Sequence, residues 1–351
     1  MTQQHITIIG AGITGLWQAT VLASAGHVVR VLRPAKMEKR PASWYAGGML
    51  APFCESEAAE RIVGELGRRS IDLWRDTYTD VTVRGSLVIA GARDRTELQR
   101  FARMTDGHVG QGEEQIGDLE PELAGRFGQG LYYREEAHLS PRDALAFLET
   151  HAAQSGVTFA DVTPVPDGGE IEADGEADWV IDCRGLGARG ELTDLRGVRG
   201  EMAVLRTDEV HLSRPIRLLH PRFPLYVVPW GDGRFMVGAT VIEREDDGPV
   251  TVRSALELLG HAYALHPGFG EAEVEEFGAG VRPAFADNAP RIVVRGRRLY
   301  INGMYRHGFL TAPALAELVA TYLKTGAMHP EVFVADRRER NAPGDGCPDA
   351  A

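Results

Sequence analysis

The chain has 351 residues, 44% of them hydrophobic, and a formal net charge of −12. That length supports a sizeable core and about two domains, while an acidic surface argues against nucleic acid or an anionic membrane as main partner. No apolar run approaches the roughly 18 residues a membrane span needs, and the opening MTQQHITIIGAG has no basic, apolar leader. The three cysteines, Cys54, Cys183 and Cys347, are odd in number and unpaired in spacing, which implies a reducing compartment and no metal site; a cytoplasmic protein is expected.

Ile6 to Ile9 is an apolar run ending at glycine and reads as a buried strand. Ile13 to Ala25 has helical periodicity and Val28 to Leu32 reads as a second strand, so the chain opens β-α-β. A small-residue stretch, Ala42 to Pro52, precedes a helix of about Ala58 to Tyr78. The middle mixes short strands (Ser86 to Ala90, Leu131 to Tyr133) with short helices. A helix over Pro141 to Ala153 leads to strands at Val157 and at Trp179 to Cys183. Val198 to Gly238 is strand-rich, with Leu225 to Val228 and Phe235 to Val237 flanking the turn Gly231-Asp232-Gly233. A helix follows over Ser254 to His266, then a strand at Leu299 to Ile301, a loop over Gly303 to Thr311 and a helix over Pro313 to Leu323. The charged tail after about Asp336 reads as disordered.

Gly10, Gly12 and Gly15 form G-x-G-x-x-G between a strand and a helix, the context in which the motif has a mechanism. Gly10 permits the tight turn, Gly12 lets the backbone approach a pyrophosphate, and Gly15 lets helix and strand pack closely, with the helix N-terminus facing the anion. The end of the second strand, where an acidic residue usually meets the ribose, carries Arg33. Either Arg33 meets a 2′-phosphate, as in an NADP enzyme, or it is a solvent-facing arginine. At the far end, Arg298 to Leu323 repeats strand, glycine loop and helix. Its loop N-G-M-Y-R-H-G-F-L-T-A-P can aim backbone N–H groups and a helix N-terminus at an electron-rich atom such as the N1–C2=O2 edge of a reduced flavin; an ordinary loop before a helix is the other reading.

Four segments together resemble the D-amino-acid oxidase superfamily of flavoproteins, with the nearest likeness to glycine oxidase of the thiamine-biosynthesis type. They are the N-terminal glycine motif; Ala46 to Pro52; Leu225-Tyr226-Val227-Val228-Pro229 with Gly233-Arg234 and Gly238-Ala239-Thr240; and Gly280-Val281-Arg282-Pro283 with Asp287 and Pro290, followed by Tyr305 to Pro313. The resemblance implies an α/β fold in which a Rossmann-like FAD-binding domain (1–80, 136–197, 283–351) is interleaved with an α+β substrate domain (81–135, 198–282) on a mixed, largely antiparallel sheet. It puts non-covalent FAD on Gly10, Gly12, Ile13, Thr14, Gly15, Arg33, Ser43, Ala46, Gly47, Gly48, Met49, Val165, Gly185, Arg306, His307, Gly308, Phe309 and Leu310. Ala46 to Met49 would run along the flavin edge and Val165 would lie by the adenine. Tyr226 and Arg282 would hold a substrate carboxylate, with Arg306 beside flavin and substrate.

Some positions depart from the glycine-oxidase pattern. Arg33 replaces the usual glutamate, Met304 stands where histidine is common, Val241 where methionine can occur, and Pro224 where histidine can occur. Sarcosine-oxidase relatives attach FAD through a cysteine shortly before the arginine-to-aspartate segment; no cysteine lies between Cys183 and Cys347, which excludes that linkage. The expected reaction is oxidation of glycine or a similar small amino acid to the imine with hydrogen peroxide production, serving thiamine (thiazole) biosynthesis, in a homo-oligomer that uses molecular oxygen. A D-amino-acid or sarcosine-type oxidase or dehydrogenase, an NAD(P)-dependent dehydrogenase and a non-catalytic flavoprotein are the alternatives. Hydride transfer from the α-carbon needs orientation more than acid–base groups. No general base stands out, and His307 and His138 read as structural.

Overall fold

The computed structural model describes residues 2–35, 40–162 and 177–335. Val165 and the tail after about 336 lie outside the described residues. The β-α-β opening folds as its pattern dictates: the apolar strand His5–Ile9, the helix Ile13–Ser24 and the strand Val28–Pro34. The first strand then sits inside a seven-stranded sheet. In spatial order this sheet runs Phe333–Ala335, Arg291–Arg295, Arg298–Asn302, Trp179–Asp182, His5–Ile9, Val28–Pro34 and Thr158–Val162. Every pairing is parallel except that between Arg291–Arg295 and Arg298–Asn302. Parallel strands need both faces covered, and the buried set Ile6, Ile8, Val29, Val31, Ile181, Leu299 and Leu315 supplies that core.

A second sheet has eight strands: Glu273–Ala284, Arg196–Arg206, Arg234–Gly238, Leu225–Gly231, Ile216–Leu219, Ser86–Ala90, Gln129–Tyr133 and Val109–Gly112. Its only parallel pair joins Ile216–Leu219 to Ser86–Ala90. One face buries Leu87, Ile89, Ala203, Leu205, Val227, Phe235 and Val237 against the helix Val252–Leu265. The mixed, largely antiparallel sheet expected beside a Rossmann-like one is therefore present.

Two elements correct the sequence reading. The last long helix is Gly308–Thr325, not Pro313–Leu323, so Pro313 lies inside it and the preceding loop is shorter. An internal proline leaves the carbonyl four residues back without its donor. Here that carbonyl, Phe309 O, accepts Trp74 Nε1–H at 2.8 Å, and Ser70 Oγ accepts the Ala314 N–H at 3.2 Å. Both partners come from the helix Arg61–Thr77, so tertiary contacts carry the helix across a residue that would end it in isolation. The other is the twelve-residue strand Glu273–Ala284, which carries Arg282 and which the sequence reading left unassigned. Its first half is glutamate-rich and exposed because it forms the sheet edge, and the sequence shows no core alternation there.

Candidate active site

One large cavity, about 990 Å³, is lined by segments from both ends of the chain and from both sheets. That volume lies at the upper end of small-molecule sites. The glycine motif forms one wall. Gly10 has φ +105°, and a Cβ on it would come within 2.8 Å of Cys183 O, while a Cβ on Gly15 would fall 1.8 Å from Gly10 O. The turn therefore closes only with hydrogen at both positions. Gly12 is the N-cap of the first helix and offers no capping side chain; Ser43 Oγ, from a separate segment, accepts the Ile13 N–H at 3.2 Å.

The second long helix starts at the same cavity. Its N-cap is His307, again without a side-chain cap. A Cβ on Gly308 would meet Ile13 Cγ2 at 3.2 Å, so the starts of the two helices touch. Two helix N-termini, neither capped by its own N-cap side chain, thus point their partial positive charge into one space. The segment Ala46 to Met49 passes between them and the second sheet. A Cβ on Gly47 would lie 2.8 Å from the Tyr226 ring, and one on Gly48, whose φ is +83°, only 2.0 Å from Leu139 O. Trp230 Nε1 donates to Gly47 O at 3.0 Å.

The charged groups form two clusters. Arg282, half-buried on the edge strand, donates Nη1–H to Thr240 O at 3.2 Å. Its guanidinium covers Gly200, where a Cβ would fall 1.9 Å from Nη2. Among the described residues no carboxylate lies within ion-pair distance of Arg282. Burial lowers its pKa and the Tyr226 phenol opposes that; an arginine so perturbed stays a cation at neutral pH. Burial likewise pushes the Tyr226 phenol up, which keeps it a neutral hydroxyl. The second cluster centres on Glu55, a residue the sequence reading passed over. Its Oε2 accepts Arg306 Nη2 at 2.6 Å and Nε at 2.7 Å and faces His307 Nδ1 at 3.4 Å, and its Oε1 is paired with Arg217. Burial disfavours the charge, but the guanidinium groups of Arg306 and Arg217 outweigh it and hold the carboxyl well below its usual range. Burial pushes His307 down to about 4, so it is neutral.

Behind Glu55, Glu136 Oε1 accepts the N–H groups of Phe53 at 3.0 Å and Cys54 at 2.7 Å, at the start of the short helix Pro52–Glu55. Burial pushes its carboxyl up to about 7.

Eighteen of the positions named from the sequence line this cavity: Gly10, Gly12, Ile13, Thr14, Arg33, Ser43, Ala46, Gly47, Gly48, Met49, Gly185, Tyr226, Arg282, Arg306, His307, Gly308, Phe309 and Leu310. Gly15 is absent from the lining and supports the turn beneath it. Arg33 reaches the rim of the cavity with its side chain 31% exposed, and its guanidinium is already paired with Glu149 and, at 3.1 Å, with Asp161, over the Phe159 ring, so it is not a free phosphate site. Missed from the sequence were Glu55, Tyr45 and Gly200, all in the lining. Tyr45 packs where Gly278 and Gly280 lack side chains, a pairing of distant glycines with one tyrosine that no local pattern reveals.

The model of the FAD dependent oxidoreductase family matches residues 5–322. The chain belongs to that family. FAD is its cofactor, and the NAD(P)-dehydrogenase alternative drops out. Among relatives of this oxidoreductase, a Rhizobium etli protein provisionally named the thiamine biosynthesis oxidoreductase ThiO is 51% identical over 93% of this chain and 98% of its own length. The glycine oxidase of Bacillus licheniformis is 26% identical over 97% of this chain and 99% of its own. Among solved structures, that of glycine oxidase from Bacillus cereus superposes with a TM-score of 0.78 at 22% identity, covering 93% of this chain and 99% of that one; at that identity the likeness speaks for the fold. The family's cofactor fits the residues present. The glycine turn, where backbone fills the Cβ positions of Gly10 and Gly15, and the two helix starts form a cradle for an anionic, elongated group. No helix of the described residues is long and apolar enough to cross a membrane.

Proposed function

We propose that this FAD-dependent oxidoreductase oxidises glycine, or a comparably small amino acid, to the imine with release of hydrogen peroxide, and that it supplies thiamine biosynthesis. The observation that carries this reading is Arg282, a cation at the cavity wall with no acidic partner among the described residues. A desolvated guanidinium needs a counter-charge, and a planar carboxylate meets it with two parallel hydrogen bonds. Tyr226 adds a neutral hydroxyl beside it. Bound FAD supplies the hydride acceptor and passes the electrons on to oxygen. Gly10, Gly12, Ile13, Thr14 and the 306–310 turn would hold its pyrophosphate and isoalloxazine edge, with Ala46 to Met49 along the ring.

The chain's own residues supply orientation. Arg282 and Tyr226 fix the carboxylate, which leaves the α-carbon one bond away to be aimed at the hydride acceptor. The Gly47 backbone, pressed on the Tyr226 ring, limits the room for a substrate side chain. Glu55 is ionised and shared by Arg306, Arg217 and His307, so it is not a free base; the amine proton leaves to solvent. Residues 1–80, 136–197 and 283–351 form the FAD-binding domain of this reading, and 81–135 with 198–282 the substrate domain; the two sheets support this division except at the strand ends Arg196–Gly197 and Pro283–Ala284, which the boundaries cut. A cytoplasmic location and a homo-oligomeric state belong to the same reading.

The test has two steps. Acid precipitation of the yellow protein should release all colour into the supernatant, since no cysteine lies between Cys183 and Cys347, the stretch in which sarcosine-oxidase relatives carry the linkage. Peroxide release measured over glycine, sarcosine and a series of D-amino acids should then show the highest kcat/KM for the smallest. A panel with no turnover, or with preference for bulky side chains, refutes the substrate assignment.

A further inference from the structure

The cation read above as the carboxylate anchor is aimed by backbone alone. Arg282 Nη1 donates to Thr240 O at 3.2 Å and reaches Arg199 O at 3.5 Å. The direction of the guanidinium therefore follows wherever those two carbonyls sit. A loop carbonyl is a poor fixture unless its residue is tied down, and Thr240 is tied three times to one neighbour. Its N–H donates to Glu201 O at 3.1 Å. Its Oγ1 accepts the Glu201 N–H at 2.9 Å and donates to Glu201 Oε2 at 3.2 Å.

Glu201 is fully buried on the strand beneath Arg282. Its other oxygen accepts Arg199 Nε at 3.0 Å and Nη2 at 2.7 Å. Arg199 continues outward to the carbonyls of Asp246 at 2.6 Å and Pro249 at 2.8 Å, pinning the segment that follows Thr240. Burial alone would push the Glu201 carboxyl up, but hydrogen bonds from Ser254, Arg199 and Thr240 pull it below the ordinary range, so it is charged at neutral pH. A buried ion pair adds little stability over apolar packing of the same volume. What this one supplies is fixed direction: every polar atom of Thr240 except its carbonyl oxygen is bound by Glu201, and that carbonyl is the one facing Arg282.

We propose that Glu201 and Thr240 are positioning residues for substrate binding, acting through Arg282 by fixing the carbonyl that aims its guanidinium at the substrate carboxylate. The inference rests on Arg282 being that anchor, and the experiment separates the two claims. Holoenzyme is titrated with acetate, following the flavin absorbance, and KM and kcat are measured with glycine. Thr240→Val should raise the acetate Kd and glycine KM by about tenfold and leave kcat within about threefold, the signature of lost uniform binding. Thr240→Ser, which keeps the hydroxyl, should restore both. In an Arg282→Ala background Thr240→Val should add nothing, because the path through Arg282 is gone. A merely structural role would lower Tm without moving the acetate Kd of the folded holoenzyme.

An unchanged Kd in Thr240→Val, or the same factor in the Arg282→Ala background, overturns the proposal while leaving Arg282 as anchor. An Arg282→Ala protein that binds acetate like the parent overturns the anchor and this inference with it. Should Thr240→Val yield no holoenzyme, Glu201→Gln carries the same expectations.

Discussion

Glu55→Gln is the change that most directly probes the second charged cluster. Glu55 is ionised and about nine-tenths buried, and its two oxygens serve Arg217, Arg306 and His307. Glutamine keeps the shape and one acceptor but turns an amide NH₂ toward a guanidinium. Removing one member of a buried pair costs about 3–5 kcal/mol, because the remaining charges stay buried without compensation. For a chain of this size, at about 2 °C per kcal/mol, Tm should fall by roughly 6–10 °C. The electrostatics at the cavity move the other way. Losing an anion beside Arg306 makes the site more positive, so carboxylate affinity should hold or tighten. Catalysis should fall even so, since Arg306 loses the contact that fixes it at the start of the second helix. The assay is differential scanning calorimetry of the holoenzyme beside acetate titration and steady-state kinetics with glycine. A decrease in kcat of at least about tenfold, with acetate Kd unchanged or lower, is the expected pattern. A Tm within about 2 °C of the parent, or a weaker acetate Kd, would refute the view that Glu55 is a buried counter-ion outside the carboxylate subsite.

Three further outcomes follow from the geometry. Arg282→Ala should lower kcat/KM roughly 30-fold to several thousand-fold, from about 2–5 kcal/mol for an unpaired buried carboxylate, with normal FAD content; Arg282→Lys should rescue poorly because it lacks the planar fork, and a loss in the alanine variant below about threefold removes Arg282 from the role. Gly200→Ala should raise the glycine KM and spare FAD binding, because its methyl occupies the space of the Arg282 guanidinium; an unaltered KM would show that the guanidinium rests elsewhere. Glu136 is raised from 4.5 to about 7, so the native state retains a proton between those values that the unfolded chain releases. Its contribution is full below 4.5 and lost as pH rises through 7. Glu136→Gln has no proton to lose, so its Tm relative to the parent should improve from about pH 5 to about pH 8, by the equivalent of ~3 kcal/mol at most; a constant difference would contradict the shift.

What the sequence disclosed and what it hid divide along a physical line. Gly10, Gly12 and Gly15 were legible because the turn's need for missing Cβ atoms is local and leaves a fixed spacing. The segment from Tyr305 onward was legible for the same reason, although a local reading starts its helix at Pro313 rather than Gly308. Pro313 signals a break to any local reading, and only Trp74, 235 residues away in sequence from Phe309, removes the conflict. Glu55 was illegible because nothing local marks it. It ends a four-residue helix, and its partners Arg217 and Arg306 lie 162 and 251 residues away. Glu201 was hidden for a different reason: its arginine, Arg199, is two residues away on the same strand, but nothing local shows that this face is buried or that Thr240, 39 residues on, packs against it. Arg33 reads locally either as a phosphate contact or as a solvent-facing arginine, and the sequence cannot choose, because its carboxylate partners Glu149 and Asp161 come from elements far along the chain.

The arrangement of charge then bears on which amines the site admits. The chain as a whole is acidic, yet the cavity wall concentrates Arg282 and Arg306, with Arg217 beside them, against the single carboxylate of Glu55. His307 is neutral and adds nothing. Since Glu55 is shared by Arg217 and Arg306, the uncompensated charge resides at Arg282, in a partly enclosed space where fields are weakly screened. A simple alkylamine arrives as a cation and meets net positive potential with no acid free to receive it. An amino acid brings its own carboxylate, which neutralises Arg282 and places the ammonium group beside a site that is then nearly balanced. Discrimination between amino acids and plain amines can therefore arise before any side chain is sensed, from the substrate supplying the anion that the protein leaves out.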